Sequence, residues 1–512
     1  MKKLLCTLSF LVIFLALNTI SASAAVNGVV KVGLRYGSSA VTSANLENTQ
    51  SGGYSVGYYD DSRNFVTLGA LGQTALTVVP ASDLGGFDQS GPYSSFDEAS
   101  SAAAGYGGWT AYVSGQFYAR WSGSGNAHSS TGVAVTDTSS AVVLFEFDCQ
   151  GLYKLGVQPV GGPTWFKGYK YAGGFEYPRV TGSGLYVINV LSLEDYVKGV
   201  LPSEMGTGWP AAALEAQAIC ARTYASLTTK HLSAYGFDLC NTTDCQAYKG
   251  VSVAASDTDA AVNTTVGQCV YYNGALAETV YHASDGGATE SAENVWNDAV
   301  AYLIGKTDPY ESTITIPGYS YTVTYTPAEL TWVLQNSGYS IGTVKNAYVT
   351  QRTATGNVYK VTFVDTTGKE LTVKGEACRM AFYSTTYGKN VKSMRFSING
   401  DDAGMTAGYY VNGSGSTLST VTGAYTISGS GSVSAYSGSA PYAITSSGTA
   451  VLDVSSGTSS GASGASPGGF VITGTGNGHN VGLSQYGARA MAEQGYSCRE
   501  ILNFYYTGIT VG

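Results

Sequence analysis

The chain has 512 residues, and only 12% of them are charged, where a soluble domain usually carries about 25%. With 26 Lys and Arg against 35 Asp and Glu, the counterion-releasing grip that nucleic acid demands is excluded as a main mode of binding. Hydrophobic residues make up 44%, enough for a real core, and 67 glycines with 39 tyrosines point to a weakly charged β-type protein. Its ligand should be polar and uncharged; carbohydrate fits, and so does a passive surface role.

The first 24 residues read as a signal peptide. Lys2 and Lys3 form a positive start, residues 4–17 an apolar run, and Ala22-Ser23-Ala24 a small-x-small cleavage site. The run is shorter than the roughly 20 apolar residues of a membrane span, and no later segment reaches that length. Cleavage leaves a chain with net charge −11 and seven cysteines, secreted or held at the cell wall or the extracytoplasmic face of the membrane. Cys220 sits among alanines and reads as a buried thiol.

Residues 29–79 alternate in strand fashion with Gly and Asp turns. A short helical run follows at residues 96–103, then strands at 110–113, 142–147, 164–171 and 185–191. The helix-strand unit with Asp97-Glu98-Ala99 looks faintly like a SPOR-type glycan-binding module. The strongest helix starts at Pro210 and runs to about Leu227, with Leu214, Ala218, Ala221 and Ala225 on one small-residue face. Further helices are expected at residues 327–337 and 484–495. Residues 399–468 are dominated by Ser, Gly and Thr and contain no Lys or Arg. They read as an insertion or spacer, with short strands near Tyr425 and Tyr442 and a flexible end. The fold class expected is α+β, rich in strand.

Chemistry must be done with four histidines. His128 lies in a Ser/Gly-rich turn and reads as solvated loop. Glu204, in Pro202-Ser203-Glu204-Met205, is expected in a loop ahead of the Ala-rich helix. Flanking apolar residues could raise its pKa and make it a proton donor, although a solvated loop carboxylate is the stronger reading of the residues alone. Glu194 and Asp195 read as a helix-capping acidic pair. His282, Ser284 and the Gly286-Gly287 turn offer a polar wall. Gly476-Asn477-Gly478-His479-Asn480 leads to Ser484 and Gln485 at a helix start, with neither dinucleotide-binding spacing nor a serine-nucleophile elbow. His231, Cys240 and Cys245 leave a short-loop disulfide, a zinc site and two free thiols all open.

Together these segments resemble the SpoIID/LytB family of bacterial cell-wall proteins. The resemblance runs through Asn189 to Met205, Ala213 to Ala225, Cys245-Gln246-Ala247-Tyr248-Lys249-Gly250, the stretch near His282, and Gly476 to Tyr506. It divides the chain into a signal peptide (1–24), a β-rich N-terminal part with the possible SPOR-like insertion (25–140), the family core (141–398), the spacer (399–468) and a closing motif (469–512). It implies a lytic transglycosylase cutting peptidoglycan glycan strands stripped of stem peptides, with an amidase as partner. A wall-binding modifier of an amidase, as in the LytB branch, is the alternative. The family's catalytic glutamate falls on Glu204, and a single carboxylate suffices because no external water is activated. Gln217, Arg222, His282, Ser284, His479, Ser484 and Gln485 are the implied cleft residues. Some members bind zinc around the equivalent of His231, Cys240 and Cys245. Asp244 stands where a His often precedes the second Cys, so a Cys240–Cys245 disulfide and no cofactor is the expectation. Asn480 replaces a usual Gly, and Asp285 a usual Ser.

Overall fold

The strand-like alternation of the N-terminal part builds two sheets over a shared core. The computed structural model describes residues 28–399 and 469–512, other than 49, 51, 181 and 183, together with the backbone of six short strands between 409 and 451. The expected signal peptide and the flexible end of the spacer lie outside the described residues. A seven-stranded sheet runs in the order Leu239–Cys240, Val29–Arg35, Val187–Ser192, Gly174–Tyr177, Leu155–Pro159, Tyr54–Tyr59, Phe65–Leu71. Val29–Arg35 and Val187–Ser192 pair antiparallel, with Val32 opposite Asn189. A nine-stranded sheet includes Ala44–Asn48, whose buried and exposed residues alternate strictly. Val56, Val78, Phe145, Phe147 and Phe175 from the two sheets enter one core.

The principal helices are α1 (Phe96–Ala104), α2 (Leu193–Glu204), α3 (Ala211–Leu227), α4 (Ser256–Thr264), α5 (Pro327–Asn336), α6 (Gln485–Glu493) and α7 (Cys498–Tyr505). The protein is thus a β-rich α+β fold, as expected. The α1 unit is continuous with the larger sheet, packing on its edge strands Phe87–Tyr93, Gln116–Ser122 and Trp109–Val113. α3 departs from the expected single buried face. Residues 216–223 are all buried, because α2, α4, α6 and α7 pack around it. A helix enclosed in this way tolerates only small side chains or fully paired polar ones.

A second core gathers Tyr325, Leu330, Val361, Phe363, Phe382 and Ile472. Here Phe470–Thr475 pairs antiparallel with both Ser320–Tyr325 and Phe396–Ile398. The chain therefore leaves this sheet at Ile398 and re-enters it at Phe470. Between these points Tyr425–Ile427 pairs with Val433–Ala435, and Tyr442–Thr445 with Gly448–Val451.

His128 is not solvated. Its side chain is only 1% exposed, and its Nδ1 lies 2.8 Å from Glu146 Oε1. Arg120 donates to the same carboxylate at 2.7 Å and Trp109 Nε1 to its other oxygen at 3.0 Å. Burial alone would push the Glu146 carboxyl up, but His128 and Arg120 outweigh it and hold it below its ordinary value. Composition of the flanking turn could not reveal this, because the partners come from three other strands.

Candidate functional site

Glu204 is the last residue of α2, not a loop residue ahead of α3. Ser192 caps that helix by accepting from Asp195 N at 3.1 Å, with Glu194 and Asp195 in the first turn. Pro202 falls in the final turn, where the lost backbone donor costs only one late helical bond. Glu204 thereby sits on a rigid element. Ala247 N donates to its Oε1 at 2.8 Å. Burial raises the proton affinity of the carboxyl, and the Ala247 amide and the Gln485 and Tyr281 side chains only partly oppose it.

Three chain segments meet this carboxylate, through Ala247, Tyr281 and Gln485. The pair Tyr281–His282 runs parallel to Leu483–Ser484, which brings the residues around His282 beside the start of α6. Gly478 passes close to His282: a Cβ there would sit 2.4 Å from the His282 Cβ, and its φ is +134°, so only glycine fits. Asn480 adopts φ +66°, a left-handed conformation that asparagine tolerates best after glycine. Its side chain bonds the Asp285 and Ala288 carbonyls and accepts from Met394 N. These bonds hold the turn in a conformation that glycine would otherwise be best suited to adopt.

The expected cleft residues divide. Gln485 is beside Glu204, and the His282 and His479 rings lie 5.3 Å apart, with Trp296 5.0 Å from His479. His282 Nδ1 faces the Val481 carbonyl at 3.1 Å, while its Nε2 is buried without a hydrogen-bond partner among the described residues. Both amide atoms of Gln217 and the Ser203 hydroxyl are likewise buried and unpartnered. Burial lowers the proton affinity of both histidines, His479 to about 4. Both imidazoles should therefore be uncharged at pH 6 by NMR; a charged His479 there would contradict this environment.

Arg222 is not a cleft residue. It has no exposure, and its guanidinium forks onto Glu194 at 2.8 and 2.7 Å. The remaining donors take Thr265 Oγ1 and the Gln268 and Val262 carbonyls. Ser284 and Ser484 are also buried, and both donate to Glu311, at 2.8 and 2.5 Å. Ser484 additionally caps α6 by accepting from Gly487 N. Every donor of these three side chains is thereby taken up inside the protein. Residues missed from the sequence are Tyr281, Gln246, which bonds Tyr281 and Tyr196, and Glu311. Gln246 and Tyr281 lie within motifs read from the sequence, and Glu311 in none.

Cys240 and Cys245 are free thiols, not a disulfide. Both turn toward His231 and Asp244, and one donor atom from each of the four residues lies within 4.8 Å of the others. His231 Nε2 is 3.4 Å from Asp244 Oδ2. The interaction with Cys245 pulls the Cys240 thiol down to about 4, and Cys245 is correspondingly raised. Two sulfurs, an imidazole and a carboxylate are a fitting tetrahedral zinc set, with Asp244 taking the fourth place. Ala247, which holds Glu204, is two residues after Cys245. Zinc bound here would supply a structural clamp. Protein purified without chelator should carry one zinc per chain, lost in His231→Ala; metal-free wild type would exclude the site.

Fold and site thus define an α+β protein with a carboxyl of raised proton affinity at a helix end, met by Ala247, Tyr281 and Gln485. Residues 181–272, which include Glu204, match the model of the SpoIID family, described as stage II sporulation protein. The match supports membership of that family for this chain. It is 31% identical over 331 residues to the amidase enhancer of Bacillus subtilis (strain 168), covering 62% of this chain and 40% of that protein. It is 29% identical over 367 residues to an uncharacterized protein of Brachyspira hyodysenteriae, covering 70% and 77%. With stage II sporulation protein D of Bacillus subtilis it shares 25% over 340 residues, covering 63% and 74%. The chain thus spans well under half the length of the amidase enhancer. Among the described residues no helix is long and apolar enough to cross a membrane.

Proposed function

We propose that the chain acts in the cell wall as a lytic transglycosylase on peptidoglycan glycan strands. The observation that carries this reading is Glu204, a carboxyl of raised proton affinity fixed at the end of α2. Family membership and the relatives' names support a role in wall remodelling, including sporulation. Glu204 as the acid gives its proton to the glycosidic oxygen between N-acetylmuramic acid and N-acetylglucosamine as the C1–O bond breaks. The carboxylate left behind takes the proton of the muramyl 6-hydroxyl as that oxygen bonds C1. A 1,6-anhydro end forms and the original protonation state returns. Incubation with peptide-free glycan strands should release 1,6-anhydromuramyl ends; none at any pH between 4 and 8 would refute the reading.

A second reading rests on the amidase enhancer relative. The chain then binds glycan and stimulates an amidase without cleaving strands. Stimulation of a wall amidase equally by wild type and Glu204→Gln, with no anhydro product from either, would favour it.

A further inference from the structure

Behind the wall that carries Gln485 lies a cluster to which none of the preceding chemistry assigns a role. Asp285, Asp308 and Glu311 are 0%, 3% and 1% exposed, and one carboxylate oxygen from each lies within 4.8 Å of the other two. None of the three forms an ion pair among the described residues. Such proximity of buried like charges is costly unless a proton or a cation intervenes.

The hydrogen bonds divide the three. Glu311 is fully compensated: Asp285 N and Ser484 Oγ donate to Oε1, and Ser284 Oγ and Gly286 N to Oε2. Asp308 receives one donor per oxygen, from Tyr310 N at 2.7 Å and the Tyr505 hydroxyl at 2.6 Å, so each keeps a lone pair free. Asp285 receives Gly287 N on Oδ1, and its Oδ2 is buried with no partner. If both were ionised, Asp308 and Asp285 would carry about two uncompensated negative charges with free lone pairs in a buried site; burial and the neighbouring carboxylates of Asp308 and Glu311 push the Asp285 carboxyl well above its ordinary value.

We propose that Asp285 and Asp308, with Glu311 completing the set, bind a hard divalent cation, calcium being the best match. The donors are all oxygen, as calcium and magnesium require, and one oxygen from each carboxyl stands close enough to the others for a single ion to touch all three. A cation here ties residues 284–287 and 308–311 together and, through Ser484 on Glu311, steadies the start of α6 that presents Gln485 to Glu204. It is separate from the His231 cluster, whose sulfur donors suit zinc.

The test uses the mature chain, saturated with zinc and freed of calcium and magnesium. Equilibrium dialysis against calcium, then magnesium, should find one ion bound per chain below about 10 mM, the weak end of extracellular calcium sites being about 1 mM. The unfolding temperature should rise with calcium by about 3 °C or more. Asp285→Asn, which keeps the size and removes the charge, should lose both effects, while His231→Ala keeps them. Absence of binding in wild type, together with an infrared band of a protonated carboxyl that disappears in Asp285→Asn, would overturn the proposal in favour of a shared proton. Unchanged calcium binding in Asp285→Asn would also overturn it.

Discussion

Glu204→Gln should lower glycan cleavage about 10²- to 10⁴-fold, the span expected for a general acid, while leaving strand binding close to wild type. The same substitution should stabilise the fold at neutral pH by about 0.5–2 kcal/mol, as expected when a buried carboxylate is replaced by a neutral side chain. The sign follows from linkage. Burial raises the folded-state pKa of Glu204 above the roughly 4.3 of an unfolded glutamate. The folded state therefore holds this proton more tightly, and that contribution is fully present below the unfolded value. It is lost as pH rises through the folded value. Urea denaturation of both proteins at pH 4 and 7.5 should find the gap in favour of Gln wider at 7.5. An equal gap at both pH values, or retained cleavage, would remove Glu204 from the role.

Arg222→Ala should destabilise the protein by about 3 kcal/mol, near the low end for breaking a buried ion pair. The end of the range follows from Glu194, whose side chain is 29% exposed and can turn to water once its partner is gone. Lysine should not rescue the loss, because one ammonium cannot reproduce a fork that reaches Glu194 twice and Thr265, Gln268 and Val262 besides. At temperatures where the variant is folded, KM for glycan strands should match wild type. A raised KM with unchanged stability would return Arg222 to the cleft.

The motif order read from the sequence located Glu204, Gln485 and the histidine pair, but it did not separate ligand-facing groups from structural ones. Ser484, Ser284 and Arg222 lie in the same motifs as Gln485 and Gln217, and side-chain type carries no record of which polar groups find partners inside the protein. Glu311 was invisible because its four donors come from residues 284–286 and from Ser484, 173 positions away. Pro202 misled for a local reason: proline signals a break, yet in a final turn it costs little.

Local chemistry determined what depends on neighbours along the chain. The low charge, the alternating strands, and α3 with Pro210 before its alanines could all be read directly, because periodicity and capping act within a few residues. Tertiary structure decided which polar groups are satisfied. The pairing of Arg222 with Glu194, the burial of His128 on Glu146, the meeting of Cys240 and Cys245 with Asp244 and His231, and the enclosed carboxylates at Asp285 and Asp308 all depend on segments brought together by packing. The charge and protonation of each group follow from that enclosure, since burial and distant partners, not sequence neighbours, set the cost of an ion.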